Sequence, residues 1–488
     1  MLRVTHLRHI LILAIVSLCC ISAIGVALAQ SQPTTTPQRY IVRGGDTLST
    51  IAVRFGLTTR ELADYNDIAN INFVFNGQIL RIPPPSARDV TAIPPANVTA
   101  QPTPSSSLAA PTPTIGAEAA TETLPTPSAA LPEAGLVVFV DADSDIGSIT
   151  RQAQQLGVDW LKLTVDWRDI EPIQGQREFT LIDNALQSFR IAGFDVLLTL
   201  TGAPNWARPS ATTYVRNHPR EYGPPDDLSL FGDFAGAVAA RYGGEVAAYE
   251  IWMQPNLRRN WLDALSTSDD ARRMSDTMYI DLLRIAYDAI KDADPAAQVI
   301  TGGLAPTGFN DRVNAIDDRE FLRALLQQGV LQVSDGIGAH PAGFGNPPDL
   351  RAPQQDIGVQ SQYQSTRFFF LDTLSDYREI LQVADAADVP IWVTRFGWGS
   401  DQGTVLSEPL LPFQAYLTYV TQAEQAQFAL RALEIGQALP NIGPMLLYNL
   451  NACSVGHTED CFYSMIDAAG QQRPLFDALQ SRLNTPTE

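Results

Sequence analysis

The residues of this chain whose types could do chemistry fall at the ends of short apolar segments. Asp166, Glu171, Asp335 and His340 could serve general acid–base work, which needs a titratable side chain within hydrogen-bond reach of the proton it moves. Trp206, Trp252, Trp398 and Tyr448 offer flat faces for stacking or, on the plainer reading, core and rim packing. Gln254 and His340 can hydrogen-bond hydroxyl groups. Arg395 is a permanent cation that either pairs with a neighbour such as Asp166 or Glu171 or presents its fork to a ligand carboxylate. Glu250 lies four positions before Gln254, roughly 13 Å lower at about 3.3 Å per strand residue, and reads as structural.

Cysteine and histidine usage gives no metal chemistry. The five histidines form no HExxH pattern, and Cys453 and Cys461, with His457 between them, cannot supply a four-ligand zinc cluster. No metal and no cofactor is expected. Eight positions apart in a loop-like stretch, the two cysteines either close a short disulfide in an exported chain or remain as reduced thiols.

The elements that would position these residues alternate. Strands are expected at Leu136 to Val140, Trp160 to Val165, Asp195 to Leu200, Val246 to Trp252, Val299 to Gly303, Gly336 to His340, Ile391 to Arg395 and Pro444 to Asn449. Amphipathic helices fit between them, among them Leu181 to Ala192, Leu230 to Tyr242, Met278 to Lys291, Glu320 to Gln328 and Ala423 to Ile435. Eight strand–helix units predict an α/β fold, a closed (β/α)8 TIM barrel spanning 135–488. A doubly wound sheet is the alternative, but Asp141 to Gly147 reads DADSDIG and not the glycine fingerprint of a dinucleotide loop. In such barrels the carboxyl ends of the strands carry the active site, which is where the residues above fall.

Upstream, the composition changes twice. Length alone, 488 residues, allows about three domains at roughly 150 residues each, but many of the 34 prolines lie between Pro83 and Pro132. Residues 84–134 are dominated by Pro, Thr, Ser and Ala and read as a disordered linker. Residues 1–29 place Arg3 and Arg8 before an apolar run and end in Ala27-Leu28-Ala29, the pattern of an export signal that is either cleaved or kept as a membrane anchor. Cys19 and Cys20 leave lipid attachment as a minor alternative. Between signal and linker, Tyr40 to Pro83 predicts strand, helix, helix, strand. Leu48, Ile51, Ala52 and Phe55 line one helix face, Leu62 and Tyr65 another, and Ile79 to Ile82 closes the unit. A net charge of −20 argues against nucleic acid as a partner.

The stretches GGDTLSTIA at 44–52, LTTRELADYN at 57–66 and VFNGQILRIP at 74–83 make residues 40–83 resemble a LysM domain. That resemblance implies binding of an N-acetylglucosamine polymer, peptidoglycan or chitin, between two loops. Here the loops are Gly45, Asp46, Thr47 and Leu48, and Asn72, Phe73, Val74 and Phe75. Asp46 as a helix cap and Phe75 as a core residue is the plainer reading.

The large segment resembles the broad cellulase and xylosidase-like superfamily of glycoside hydrolases. The match runs through TVDWRDIEPIQGQREFTLID at 164–183, LLTLTGAPNWA at 197–207, YEIWMQPNLRRNW at 249–261 and IWVTRFGWGS at 391–400. In that family the fourth strand ends in Asn-Glu-Pro and the seventh offers Thr-Glu-Phe-Gly-Trp. This chain has Met253-Gln254-Pro255 and Thr394-Arg395-Phe396-Gly397-Trp398. Retaining hydrolysis needs two carboxyl groups about 5 to 5.5 Å apart, and neither inherited position supplies one.

Three readings of the barrel follow. It is catalytically silent and serves binding or scaffolding in an exported cell-envelope protein held to glycan by its LysM domain. Or it hydrolyses glycosides with relocated acids, Asp166, Glu171 or Asp335. Or its ligand is a protein. Aromatic and polar cleft residues Trp206, Trp252, Gln254, His340, Arg395, Trp398 and Tyr448 would carry a second carbohydrate contact.

Overall fold

We describe a computed structural model of the chain, which defines residues 38–42, 48–55, 57, 59–66, 79–83, 133–209, 223–261, 274–352, 367–404, 416–455 and 460–484. The expected signal at 1–29, residues 84–132 of the expected linker, His457, and the glycan-loop candidates Gly45, Asp46, Thr47, Asn72, Phe73, Val74 and Phe75 lie outside the described residues. Two compact units result.

In the N-terminal unit β1 (Gln38–Ile41) pairs antiparallel with β2 (Ile79–Ile82), and α1 (Leu48–Arg54) and α2 (Thr59–Tyr65) lie between them in the chain. The helices bury Leu48, Ile51, Ala52, Leu62 and Ala63 with Leu80 and Ile82 of β2, while Arg54 and Glu61 are exposed. Asn66 fastens α2 to β2: its Nδ2 donates to the Leu62 and Arg81 carbonyls, and its Oδ1 accepts from Arg81 N. Tyr65, expected inside, is half-buried with the Arg81 guanidinium 5.5 Å from its ring. A phenol at the end of a seven-residue helix can cover the core with its ring and keep its hydroxyl wet.

The larger unit contains eight parallel strands in the order β7-β6-β5-β4-β3-β10-β9-β8. They are β3 (Ala134–Val137), β4 (Trp160–Asp166), β5 (Asp195–Thr201), β6 (Ala248–Ile251), β7 (Gln298–Thr301), β8 (Ile337–Ala339), β9 (Ile391–Phe396) and β10 (Ile442–Leu447). Parallel bridges Ile300↔Gly336 and Leu304↔Ala339 join the outer strands and close the cylinder. It is a TIM barrel, as the strand–helix alternation predicts. The first strand starts two residues before the expected Leu136 because Met445 and Leu446 of β10 pair with Ala134 and Gly135.

Helices α3 (Ile146–Leu156), α4 (Trp167–Ile170), α5 (Thr180–Ile191), α6 (Ser229–Tyr242), α7 (Asp276–Ala293), α8 (Asp318–Gln327), α9 (Phe370–Val383), α10 (Gln422–Ala438) and α11 (Pro474–Leu483) follow the strands. Local chemistry starts them. Asp145, Ser275, Asp317 and Thr421 each accept a hydrogen bond from a first-turn amide, and Thr421 with Glu424 completes a reciprocal capping box. Among the described residues no helix is long and apolar enough to cross a membrane.

Strand alternation sends one set of side chains outward to the helices and the other into the barrel. Val137, Trp160, Leu197, Ala248, Ile300, Trp392 and Leu446 fill the interior with Tyr448 above them, and the Trp160 and Trp392 rings meet edge to face at 5.2 Å. The seam between β7 and β8 is tight. A Cβ on Gly338 would come within 2.3 Å of the Thr301 carbonyl and 2.8 Å of Gly303 N, so a methyl there must part the two strands. Gly338→Ala is expected to lower unfolding free energy by about 1–3 kcal/mol, the usual range for overpacking, read from urea denaturation; unchanged stability would show that the seam is loose.

Candidate functional site

One layer above the aromatic plug, a lysine and a glutamate face each other inside the barrel. Lys162 and Glu250 sit on the inner faces of β4 and β6, 3% and 0% exposed, with Nζ 2.6 Å from Oε2. Thr199 Oγ1 of β5 also donates to Oε2 at 2.5 Å, and Gly303 N and Thr394 Oγ1 donate to Oε1 at 2.9 and 2.6 Å. Lys162 Nζ donates to the Thr394 carbonyl of β9 as well. Burial alone would raise the Glu250 carboxyl, but the Lys162 ammonium and the nearby His340 ring outweigh it and hold it well below the usual carboxylate range. Glu250 is an ionised tie between strands, with no proton to give.

His340, at the end of β8 and 3% exposed, continues the network upward. Gln254 Nε2 lies 3.0 Å from His340 Nδ1, and His340 Nε2 lies 2.9 Å from Thr394 Oγ1. An amide nitrogen only donates, and Gln254 Oε1 is already taken by Asn260 Nδ2 and Arg259 Nη2 at 3.0 and 3.2 Å. Nδ1 is therefore the acceptor and Nε2 carries the hydrogen, which it donates to Thr394, which donates to Glu250. Burial pushes the His340 ring down to about 4, so it is neutral at pH 7. The ring needs Gly303 beneath it, because a Cβ there would lie 2.2 Å from His340 Cδ2.

The backbone that delivers Gln254 is strained. Trp252 and Gln254 have φ of 70° and 50°, a left-handed region disfavoured for side chains of this size. Hydrogen bonds from Gln254 N to the Gly303 carbonyl and from Leu257 N to the Gln254 carbonyl hold the turn. Asn256, fully buried, fastens it to the neighbouring loop through the Ala305 and Ile316 carbonyls and Ala305 N.

Arg395 enters the mouth through a bulge. Val393 and Phe396 pair with Met445 and Leu447, so three steps on β9 match two on β10. The extra residue lets both Thr394 and Arg395 face the barrel, where strict alternation would turn one away. The Arg395 guanidinium lies 3.6 Å from the Tyr448 ring centroid and pairs with neither Asp166 nor Glu171. Those acids are used locally: Asp166 caps α4 and pairs with Arg168 at 2.7 Å, and Glu171 pairs with Arg177 at 2.8 Å. Burial would raise Glu171, but hydrogen bonds from Arg177, Trp167 Nε1 and Gly175 N win and lower it.

Other sequence candidates are placed differently from expectation. Asp335 is at the amino end of β8, where it accepts from Val299 N and pairs with Lys291 at 2.8 Å; it precedes its strand and so sits at the opposite end from the mouth. Trp252 and Trp398, 0% and 1% exposed, point outward to the helices and donate to the Asn260 and Asn346 carbonyls. Neither has a face free for a sugar. Gln254 and His340 direct their polar atoms into the network described above. Trp206 is half-buried against Trp167 and donates to the Glu171 carbonyl, Tyr448 is 7% exposed beneath Arg395, and Leu48 is buried in the N-terminal core. Cys453 and Cys461 are disulfide bonded, and among the described residues no cluster of three or more His, Cys, Asp or Glu could hold a metal.

Lys162, Thr199, Thr394, Arg259, Asn260 and Tyr463 were not singled out in the sequence. Lys162 had a readable signal, a lone charge inside the apolar strand WLKLTVD; Thr199 gave a weaker one of the same kind. Nothing local marked the other four.

Residues 40–83 match the LysM domain family. N-acetylmuramoyl-L-alanine amidase XlyA of Bacillus subtilis (strain 168) is 42% identical over 52 residues, 11% of this chain and 18% of the amidase. A family 39 glycoside hydrolase from Bacteroides cellulosilyticus WH2 superposes with a TM-score of 0.52 at 18% identity, covering 73% of this chain and 64% of that one. Xylanase 10B from Thermotoga maritima gives 0.44 at 15% identity over 72% and 94% of the two chains. The N-terminal unit is thus a LysM domain. The larger unit has the fold of glycoside hydrolase barrels, and at these identities the likeness is one of fold. The chain spans less than two thirds of the amidase and of the family 39 enzyme.

Two predictions follow from the network. Glu250→Gln or Lys162→Met leaves its buried partner uncompensated and should cost about 3–5 kcal/mol, whereas the double replacement Lys162→Met with Glu250→Leu should cost less than the singles added together, all read from urea denaturation. For His340 the folded value lies below the unfolded one near 6.5, so the unfolded chain takes the proton first. Stability is present above that pH and falls as pH drops toward about 4. Between pH 7 and pH 5 the native chain should lose about 2 kcal/mol more than His340→Gln; parallel curves would mean that the ring takes its proton equally readily in the folded and the unfolded chain.

Proposed function

We propose that this protein is an exported glycan-binding protein of the cell envelope. Its LysM domain holds an N-acetylglucosamine-containing polymer, peptidoglycan or chitin, and its barrel binds without hydrolysing. The LysM match at 40–83 carries the first part, supported by the likeness of 52 residues of the chain to a Bacillus amidase whose name places its chemistry on muramoyl peptides. The loop residues Gly45 to Leu48 and Asn72 to Phe75 are the proposed contacts. The Pro/Thr/Ser-rich stretch before the first barrel strand, residues 84–132, then acts as a spacer, and tethering would raise the concentration of the barrel near the polymer.

The side-chain chemistry of the mouth supports a silent barrel. Gln254 does not titrate usefully and Arg395 cannot attack an anomeric carbon. Hydrolysis would need a proton donor and a second carboxylate beside one bond. Glu250 is committed to Lys162, Glu171 to Arg177 and Asp166 to Arg168, and Asp335 lies at the far end. Each acid that the relocated-acid reading names is thus engaged by a cation, Asp335 by Lys291 at the far end.

Full-length protein incubated with insoluble peptidoglycan or chitin should sediment with it, and deletion of residues 40–83 should reduce retention at least tenfold. No reducing ends should appear with wall, chitin or plant-type glycans. Saturable sugar release abolished by Asp166→Asn or Glu171→Gln would establish an enzyme in place of a binding module.

A further inference from the structure

Arg395 makes no ion pair and no hydrogen bond among the described residues, although it is half-buried. The Tyr448 ring, 3.6 Å from the guanidinium carbon, covers one side of the cation, and its N–H donors are left for another group. On β9 it follows Thr394, whose hydroxyl and carbonyl serve the buried layer, and its charge acts on both Lys162 and His340. Arg259, which reaches Gln254 Oε1, acts on Tyr448 from the same region. Asp460 also sits there, close enough to act on Arg395 and to engage the Tyr448 hydroxyl. In a chain of net charge −20, this end of the barrel nevertheless presents guanidinium groups.

Its walls are aromatic and hydroxyl-bearing. Phe139 and Tyr463 meet Tyr448 edge-on at 5.9 and 5.6 Å, and the Tyr416 and Tyr463 hydroxyls lie 3.0 Å apart. Thr164, on the same face of β4 as Lys162 and one step higher, is exposed, so this side of the mouth is open. Rings, hydroxyls and one oriented fork match a sugar that carries a carboxylate. A neutral sugar can accept from Arg395 only through uncharged hydroxyl oxygens, whereas a carboxylate takes two N–H donors in a charge-assisted, bidentate pair.

We propose that the barrel mouth binds a carboxylate-bearing saccharide, with Arg395 taking the carboxylate. The inference rests on the barrel being a binding module and names the class of its ligand.

Titration calorimetry of the full-length protein tests it, using a galacturonic acid trisaccharide, its neutral galactose counterpart, and N-acetylmuramic acid as a second source of a sugar carboxylate. At least one acidic probe should bind saturably, at least tenfold more tightly than the neutral sugar, and less tightly as salt rises. Arg395→Gln should weaken that binding at least tenfold, with Arg395→Lys between the two. The proposal is overturned if no acidic probe binds, if the neutral sugar binds equally well, or if an Arg395→Gln protein that melts like the native chain binds unchanged. Should that variant fail to fold, the acid-to-neutral ratio and salt dependence of the native protein decide. Reducing ends measured in the same samples keep the two readings separate: their release would overturn the non-hydrolytic reading, whereas loss of acid selectivity without release would overturn only this one.

Discussion

Lys162 and Glu250 meet at 2.6 Å inside a closed barrel, and the rest of the site is arranged around satisfying that pair. Two ions removed from water need more than each other. Thr199 and Thr394 supply hydroxyls, Gly303 an amide and Thr394 a carbonyl, so strands β4, β5, β6 and β9 and the end of β7 all answer to one carboxylate. His340 and Gln254 extend the constraint from the layer to the mouth, and the direction of each hydrogen bond follows from the one below it.

This constraint fixes the charge state of the groups directly beneath the mouth. A carboxylate this well paired stays ionised and fixed, while a neutral histidine with both nitrogens engaged neither donates nor accepts elsewhere. Reactive chemistry needs a group whose protonation state can change near working pH. The network achieves the reverse, and the side chain it leaves available is a guanidinium. The fold by itself implies no activity, since one barrel architecture hosts unrelated functions; the residues at the strand ends carry the functional argument.

Backbone irregularities aim those residues. The bulge on β9 turns Arg395 inward beside Thr394, and the left-handed residues after β6 deliver Gln254 to His340. Glycine at 303 leaves room for the imidazole. Each feature departs from regular strand geometry at the carboxyl end of the barrel, where departures are expected to concentrate if that end binds something.

The eight-strand alternation and the small βααβ unit were legible in residue order alone, because apolar periodicity and local motifs are properties of neighbouring residues. Lys162 was visible as an oddity without a partner. Its pairing with Glu250, 88 positions away in the chain, the outward burial of Trp252 and Trp398, the place of Asp335 at the closed end, and the stacking of Arg395 on Tyr448 were decided only by the tertiary structure. Strand tilt, a one-residue bulge and barrel closure set which side chains share a layer, and none of these is a local property. Sequence determined which groups the site could contain; the closed sheet decided which of them cancel one another and which one is left facing the mouth.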